Sequence, residues 1–386
     1  MEFIPYGRQA IRQKDIDSVV EVLTSDFLTQ GPMVPRFEQA LAAKCGVKEV
    51  CALNSATSAL HVACLALGIG SGDTVWTSPI SFVASANCAL YCGAKVDFVD
   101  VDPNTTNICP TSLEEKLLQA SRKNNLPKAL IVVHMGGRSA EMSSIAALCE
   151  PYGIRIIEDA SHAIGGFAWG APVGQCEYSD LCVFSFHPVK IITTGEGGAI
   201  TSKDESLVNR CKLLRSHGIT RDPASMESDP EGAWVYEQIA LGLNYRMTDI
   251  QAALGYSQLD ILEASIGCRQ RIARAYHEEL EPLPLERPAV DDHIRSAWHL
   301  YVVKTLENTG LERKKLFDFL RERNIGVNVH YKPIHTQPYY KRLGFCHGQF
   351  PVAEDYYARA ITLPIHPSLS EAQHNYVLEQ LRDFYR

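Results

Sequence analysis

No CxxC pair occurs among the 12 cysteines of this 386-residue chain. That spacing speaks against a zinc knuckle and against a thioredoxin-like redox site. Cys88 and Cys92 sit in an apolar helical stretch, and apolar runs separate Cys45, Cys51 and Cys64. Free, buried thiols in a reducing compartment are therefore expected, and no metal centre. Runs of 18 or more apolar residues are also lacking, so no transmembrane helix is expected. No basic tract appears, and 37 Lys and Arg against 45 Asp and Glu leave a formal charge of -8. Neither nucleic acid nor membrane is an expected partner, although a helix N-terminus can hold a small polyanion without a basic surface. The opening stretch MEFIPYGRQAIRQKD has no apolar core and no small-residue cleavage site, so a cytoplasmic location is expected. No G-x-G-x-x-G follows the first strand, where NSATS stands instead, and TTGEGG does not match G-x-x-x-x-G-K-[ST]. These absences count against dinucleotide and nucleoside-triphosphate sites.

What is present is an alternation of strands and helices. Apolar segments ending near Leu53, at DTVWT (73–77), KVDFVDVD (95–102), LPKALIVVHMGG (126–137), IRIIEDASHA (154–163), LCVFSF (181–186) and GGAITSK (197–203) read as strands. Helical patterns fall between most of them, as at 139–151, and continue at 204–214. Several strands are apolar throughout, which predicts an α/β fold with a mostly parallel sheet covered on both faces. Polar clusters at 54–58, 78–82, 134–138, 158–162 and 185–190 all fall at carboxyl ends of strands, where such sheets bind ligands. A long helix over 248–279 is predicted to lead from a large domain (1–250) into a small α+β domain (251–386). The small domain is predicted to hold strands at 297–305, 325–331 and 361–364, and helices at 311–323, 351–360 and 369–384.

FSFHPVKIITTGEGGAI, residues 184–200, sets Lys190 between Pro188 and two isoleucines. A lysine in a loop is by default solvated. Lys190 could instead bind phosphate as a point charge, or, desolvated and with a lowered pKa, form a Schiff base with a carbonyl. The last reading requires company, and pyridoxal phosphate defines it: a carboxylate for the pyridine nitrogen, an anion site and a flat face. Asp159 ends a predicted strand 31 residues earlier, while its neighbour Glu158 points to the opposite side of that strand. Backbone amides of Ala56, Thr57 and Ser58 at a helix start, the hydroxyls of Thr57 and Ser58, and Ser185 offer the anion site. Helix capping alone would explain the hydroxyls at 57 and 58 equally well. Phe82 is the candidate to stack on the ring, with a place in the core as the alternative.

The ordered motifs DASH (159–162), SFHPVKIITTGEGGA, RSHGI (215–219) and LGLNYRMTDIQAALGYSQL (241–259) resemble the DegT/DnrJ/EryC1/StrS family. The resemblance runs from FLTQGPMVPRFE (27–38) to the last helix. It implies the type I (aspartate aminotransferase) fold of the pyridoxal 5'-phosphate-dependent transferases, and transamination of nucleotide-linked keto sugars. Carried over, it makes Lys190 the Schiff-base lysine, Asp159 the partner of the pyridinium nitrogen and His162 a neighbour of the ring. Thr57, Ser58 and Ser185 would bind phosphate. Asn244, with Arg246, would reach the cofactor of a neighbouring subunit, which implies a homodimer. Tyr331, His330 and Lys332, together with Tyr6 and the Thr29–Gln30–Gly31 turn, would lie on the sugar-nucleotide side. NSATSALHVA, TSPISFVASAN, VNVHYKPIHTQPYY and AEDYYARAITLPIHPSLS resemble the branch of pseudaminic acid biosynthesis in particular. That branch implies a UDP-linked 4-keto sugar and the L-glutamate/2-oxoglutarate pair as substrates; the alternative is another UDP- or dTDP-linked keto sugar. HMGGRSAEM departs from the Gly-Gln-Pro of many relatives. It leaves Arg138 either a solvated loop residue or a partner for a carboxylate or diphosphate.

Overall fold

In the computed structural model, which describes residues 2–307 and 310–386, a seven-stranded sheet forms the centre of the chain. Its strands run in the order Glu49–Leu53, Gly198–Ser202, Leu181–Ser185, Arg155–Asp159, Ala129–Val133, Thr74–Thr77 and Lys95–Phe98. Gly198–Ser202 is antiparallel to both neighbours, and every other pairing is parallel. Leu181–Ser185 and Ala129–Val133 are buried at every position, as expected of strands covered by helices on both faces. The parallel register sets Asp159 opposite Val183. Lys190 follows that neighbouring strand by a short turn, in which its amide bonds the carbonyl of His187 at 2.9 Å.

A second, antiparallel sheet joins Leu285–Glu286, Tyr301–Thr305 and Ala360–Leu363. Helices Leu311–Glu322 and Glu371–Phe384 contribute Leu316, Leu320, Val377 and Leu381 to its core. The expected helix over 248–279 is two helices, Asp249–Leu259 and Leu262–Glu279. No proline or glycine marks the break, so apolar periodicity runs through it. The first piece packs on helices Gln13–Leu23 and Met33–Cys45, where Ser257 and Gln258 donate to the buried carboxylate of Asp15 at 2.6 and 2.7 Å. The second leaves that core after Ile266 and places Ala273 and Tyr276 in the small-domain core. Helix Leu262–Glu279 thus passes from one core to the other between Ile266 and Ala273. Ile4, assigned by position to the large domain, lies in the small-domain core beside Ile325.

Three other elements differ from the sequence reading. Residues 325–331 form only isolated bridges, Ile325 with Ile4 and Asn328 with Thr362. The strand expected over 95–102 ends at Phe98. Helix Pro110–Arg122 was not anticipated, although Pro110 opens it and Leu113, Leu117 and Ala120 bury one face. Among the described residues no helix is long and apolar enough to cross a membrane.

Candidate active site

Strand ends converge on a cavity of about 510 Å³, well inside the size range of small-molecule sites. Asp159, His162, Ser185 and Lys190 line it from one side, and Tyr6, His330 and Tyr331 from the other. Asp159 and Glu158 do part company across their strand. Glu158 accepts from His134 Nε2 at 2.6 Å and from the Ser179 hydroxyl, whereas Asp159 faces the cavity. Ser85 donates to Asp159 Oδ2 at 2.6 Å, and Ser161 donates to Oδ1 through its hydroxyl at 2.6 Å and its amide at 3.2 Å. The carboxylate is thereby fixed in direction while lone pairs stay available to a ligand.

The Lys190 ammonium makes no hydrogen bond or ion pair among the described residues. Burial pushes its pKa down to about 8, and the nearby charge of Asp159 offsets part of that fall. An amine in this range is neutral often enough near neutral pH to act as a nucleophile and a base. Burial, together with the charges of Lys190 and His330, lowers His162 well below the usual histidine value. His162 is therefore a neutral ring, whose Nε2 lies 3.2 Å from the Tyr331 hydroxyl. Its Nδ1 is buried without a partner, an orphan that a ligand oxygen can satisfy.

Helix Ala56–Ala66 supplies the anion site. Ser55 caps it, its Oγ accepting from the Ser58 amide at 3.0 Å. Among the described residues the amides of Ala56 and Thr57 have no acceptor at the positive end of the helix. Gly198 lets the strand pass beneath this terminus, because a Cβ there would stand 2.5 Å from the Ala56 nitrogen. Thr57 and Ser185 line the cavity as expected, and Ser55 joins them. Ser58 does not: its hydroxyl bonds Asn54 Oδ1 and Ser55 Oγ, and its amide is the one the cap consumes. Ser58 instead lines a neighbouring opening with Asn54, Ser55 and Thr57.

Phe82 is 59 % exposed and lines the cavity, its ring 6.4 Å from that of Tyr331, which is where a flat ligand would find a face. Tyr6 packs on His330 at 5.1 Å between centroids. Asn244, Arg246, Thr29 and Lys332 lie outside the cavity lining. Asn244 is exposed and its backbone pairs with Ser216, Arg246 pairs with Leu53, and Thr29 with Thr248. Arg138 is also outside, loosely set between Glu141 and Asp291. Sequence reasoning missed Ser85, Ser161, Glu196, Asn328 and His299. Ser161 had a signal, since a serine two residues after an aspartate closes an Asx-type turn. His299, whose ring lies 4.5 Å from that of His162, arrives from distant sequence without one.

A lysine of lowered pKa, a braced carboxylate, an orphaned neutral imidazole and an open helix N-terminus on one cavity fit pyridoxal phosphate. The model of the DegT/DnrJ/EryC1/StrS aminotransferase family matches residues 9–382. The chain belongs to that family. Among curated members, "UDP-4-amino-4,6-dideoxy-N-acetyl-beta-L-altrosamine transaminase" of Campylobacter jejuni is 39% identical over 381 residues, covering 98% of this chain and 96% of that one. "Spore coat polysaccharide biosynthesis protein SpsC" of Bacillus subtilis is 38% identical over 388 residues, covering 100% and 97%. Among solved structures, Helicobacter pylori PseC, described as an aminotransferase involved in the biosynthesis of pseudoaminic acid, superposes with a TM-score of 0.91 at 32% identity, covering 100% of this chain and 99% of that one.

Proposed function

We propose that this chain is a pyridoxal-phosphate-dependent aminotransferase of nucleotide-sugar synthesis. It moves the amino group of L-glutamate to C4 of UDP-2-acetamido-2,6-dideoxy-β-L-arabino-hexos-4-ulose, giving UDP-4-amino-4,6-dideoxy-N-acetyl-β-L-altrosamine and 2-oxoglutarate. The observation that carries the reading is Lys190 and Asp159 facing one cavity beside the open N-terminus of helix Ala56–Ala66. Bound pyridoxal phosphate supplies a carbonyl for amines and a ring that accepts the electron pair left when a Cα proton is removed. The chain supplies the rest. Ser55, Thr57, Ser185 and the first-turn amides hold the phosphate. Asp159, braced by Ser85 and Ser161, holds the proton on the ring nitrogen. Lys190 carries the cofactor and, once released, takes the Cα proton of the donor and returns a proton on the other side of the exchange. His162 and Phe82 would flank the ring, and Tyr6, His330 and Tyr331 would bound the space for the sugar.

The full-length match to the altrosamine transaminase supports this substrate. A second reading, another nucleotide-linked keto sugar, has the nearly equal match to the spore-coat polysaccharide protein in its favour. The exposed Asn244 and the neighbouring Arg246 are assigned to a second subunit's cofactor, which makes the enzyme a homodimer. Its location is taken as cytoplasmic. The test is the visible absorption of purified protein given pyridoxal phosphate. The bound cofactor's band should bleach with L-glutamate and be absent in Lys190→Ala, and the product's C4 configuration, read by NMR, chooses between the two sugars. A protein that takes up no pyridoxal phosphate overturns the reading.

A further inference from the structure

Arg138 carries five N–H donors and makes no side-chain hydrogen bond among the described residues. Its side chain is only 12% exposed, and its nearest carboxylate oxygens, on Glu141 and Asp291, stand 3.6 Å away. At that distance neither makes an ordinary hydrogen bond, and Nε is buried without any partner. A guanidinium this enclosed is costly unless something accepts from it.

Arg138 opens into a cleft between the two domains that is separate from the cofactor cavity. Asn104, Thr105 and Arg138 come from the large domain, and Arg287, Ser296 and Lys304 from the small. The lining contains three cations and no carboxylate. Among the described residues Arg287 forms no ion pair, and its side chain donates to the carbonyl of His277 at 2.5 Å. Lys304 donates to the Pro103 carbonyl at 2.8 Å and pairs with Glu286 at 2.6 Å, which leaves one of its three N–H donors. About 50 Å³ of the cleft is open to a water's centre, where a single water needs ~10–15 Å³. That space admits a carboxylate or a tetrahedral oxyanion and excludes a nucleotide.

We infer that this cleft is a second ligand site, a receptor for a small oxyanion held by Arg138, Arg287 and Lys304 across the domain boundary. The hydroxyls of Thr105 and Ser296 and the amide of Asn104 complete it. The site shares structure with the cofactor cavity without overlapping it. Trp298, in its wall, precedes His299, and Tyr356, also in its wall, donates to the His330 carbonyl at 2.6 Å. An anion here would fasten both domains across the segments that carry those two histidines.

The test uses protein loaded with pyridoxal phosphate, so that the cofactor's own phosphate site is filled. Thermal unfolding is followed while inorganic phosphate, or acetate in a parallel series, replaces chloride at constant ionic strength. A saturable rise in Tm is expected, with the midpoint concentration raised at least tenfold in Arg287→Gln and in Arg138→Gln and less in Arg138→Lys. The series with the lower midpoint identifies a phosphate or a carboxylate as the better occupant. The cofactor band and the circular dichroism of each variant verify its fold, and Arg287→Gln serves alone if Arg138→Gln does not fold. Absence of a saturable rise with either anion, or an identical rise in the variants, overturns the inference.

Discussion

The two walls of the cavity are built differently. The wall from the large sheet holds its groups at strand ends and at a helix terminus, and Asp159 alone receives three hydrogen bonds. The opposite wall is irregular backbone around Asn328–Tyr331 with Tyr6 laid against it. Its side chains are held more loosely than Asp159: His330 Nδ1 lies 2.8 Å from Thr362 Oγ1 and its Nε2 3.4 Å from Asn328 Nδ2, and the Tyr331 hydroxyl reaches only His162 among the described residues. A multiply braced group keeps its direction when one contact is lost, and a singly held one does not. The first wall is therefore suited to the chemistry shared by all amino-group transfers, and the second to the shape of one sugar.

Breaking the first wall should have the larger effect. Asp159→Asn removes the charge and keeps an acceptor for only one of Ser85 and Ser161, the other meeting an NH2 group. Transamination should fall by roughly 10²–10³-fold, the range for loss of one preorganised electrostatic group. Because Asp159 offsets part of the burial effect on Lys190, the lysine pKa should drop below about 8 in the variant. The pH dependence of pyridoxal phosphate uptake measures it, and an unchanged profile would mean that the two groups are not coupled as the geometry implies.

The second wall should show itself through acid. Burial, aided by the charge of Lys190, lowers His330 to about 4 from an ordinary 6.5. An unfolded chain takes up this proton near pH 6.5 and the folded one only near 4, so the unfolded state binds more protons in between. Stability from the neutral His330 is complete above pH 6.5 and is lost as the pH falls toward 4, to the extent of roughly 3 kcal/mol. His162 and His299 are depressed in the same direction. Urea unfolding of wild type and His330→Asn at pH 7, 5.5 and 4 isolates the share of His330. The stability of wild type relative to the variant should decline across that window, and parallel curves would contradict the buried neutral state.

This contrast also governs what could be read from the residues. A parallel sheet places its ligands at strand ends by rule, so Asp159, Ser185 and Lys190 could be assembled from apolar runs and the polar residues that close them. The same logic located the helix start at 56–58 but not Ser55 as its cap, whose Oγ accepts from the Ser58 amide. The second wall has no such rule. Residues 325–331 look like a strand because Ile325, Val327 and Val329 alternate with smaller or polar residues, yet they pair only at isolated points, with Ile4 and Thr362. Tyr331, His330 and Tyr6 were found there through family resemblance alone. His299 reaches His162 because Gly137 admits its chain: a Cβ on Gly137 would stand 2.8 Å from the His162 carbonyl and 3.1 Å from the His299 nitrogen.

The anion site can be pressed from below without substituting any residue on its lining. Gly198→Ala would drive a methyl into the Ser55 carbonyl at 2.6 Å and the Ala56 nitrogen at 2.5 Å. Both are backbone atoms, so the helix mouth must move. Overpacking of this kind costs ~1–3 kcal/mol, and pyridoxal phosphate affinity should weaken by about tenfold or more with the secondary structure intact. Titration of the apoprotein followed by absorbance measures it, and wild-type affinity would show that the first-turn amides do not hold the phosphate.

The smallest effect should come from Tyr331→Phe, and it bears most directly on the division of labour between the walls. The change removes one hydroxyl and leaves His162 with neither ring nitrogen partnered. A hydrogen bond of this class contributes ~0.5–1.5 kcal/mol net, so a loss of about twofold to tenfold is expected. If the second wall serves the sugar, that loss should fall on the half-reaction with the keto sugar, measured by stopped-flow absorbance, while the half-reaction with L-glutamate keeps its rate. Equal losses in both would mean that Tyr331 acts through His162 on the cofactor itself. The boundary between the walls would then lie beyond Tyr331, at Tyr6 and His330.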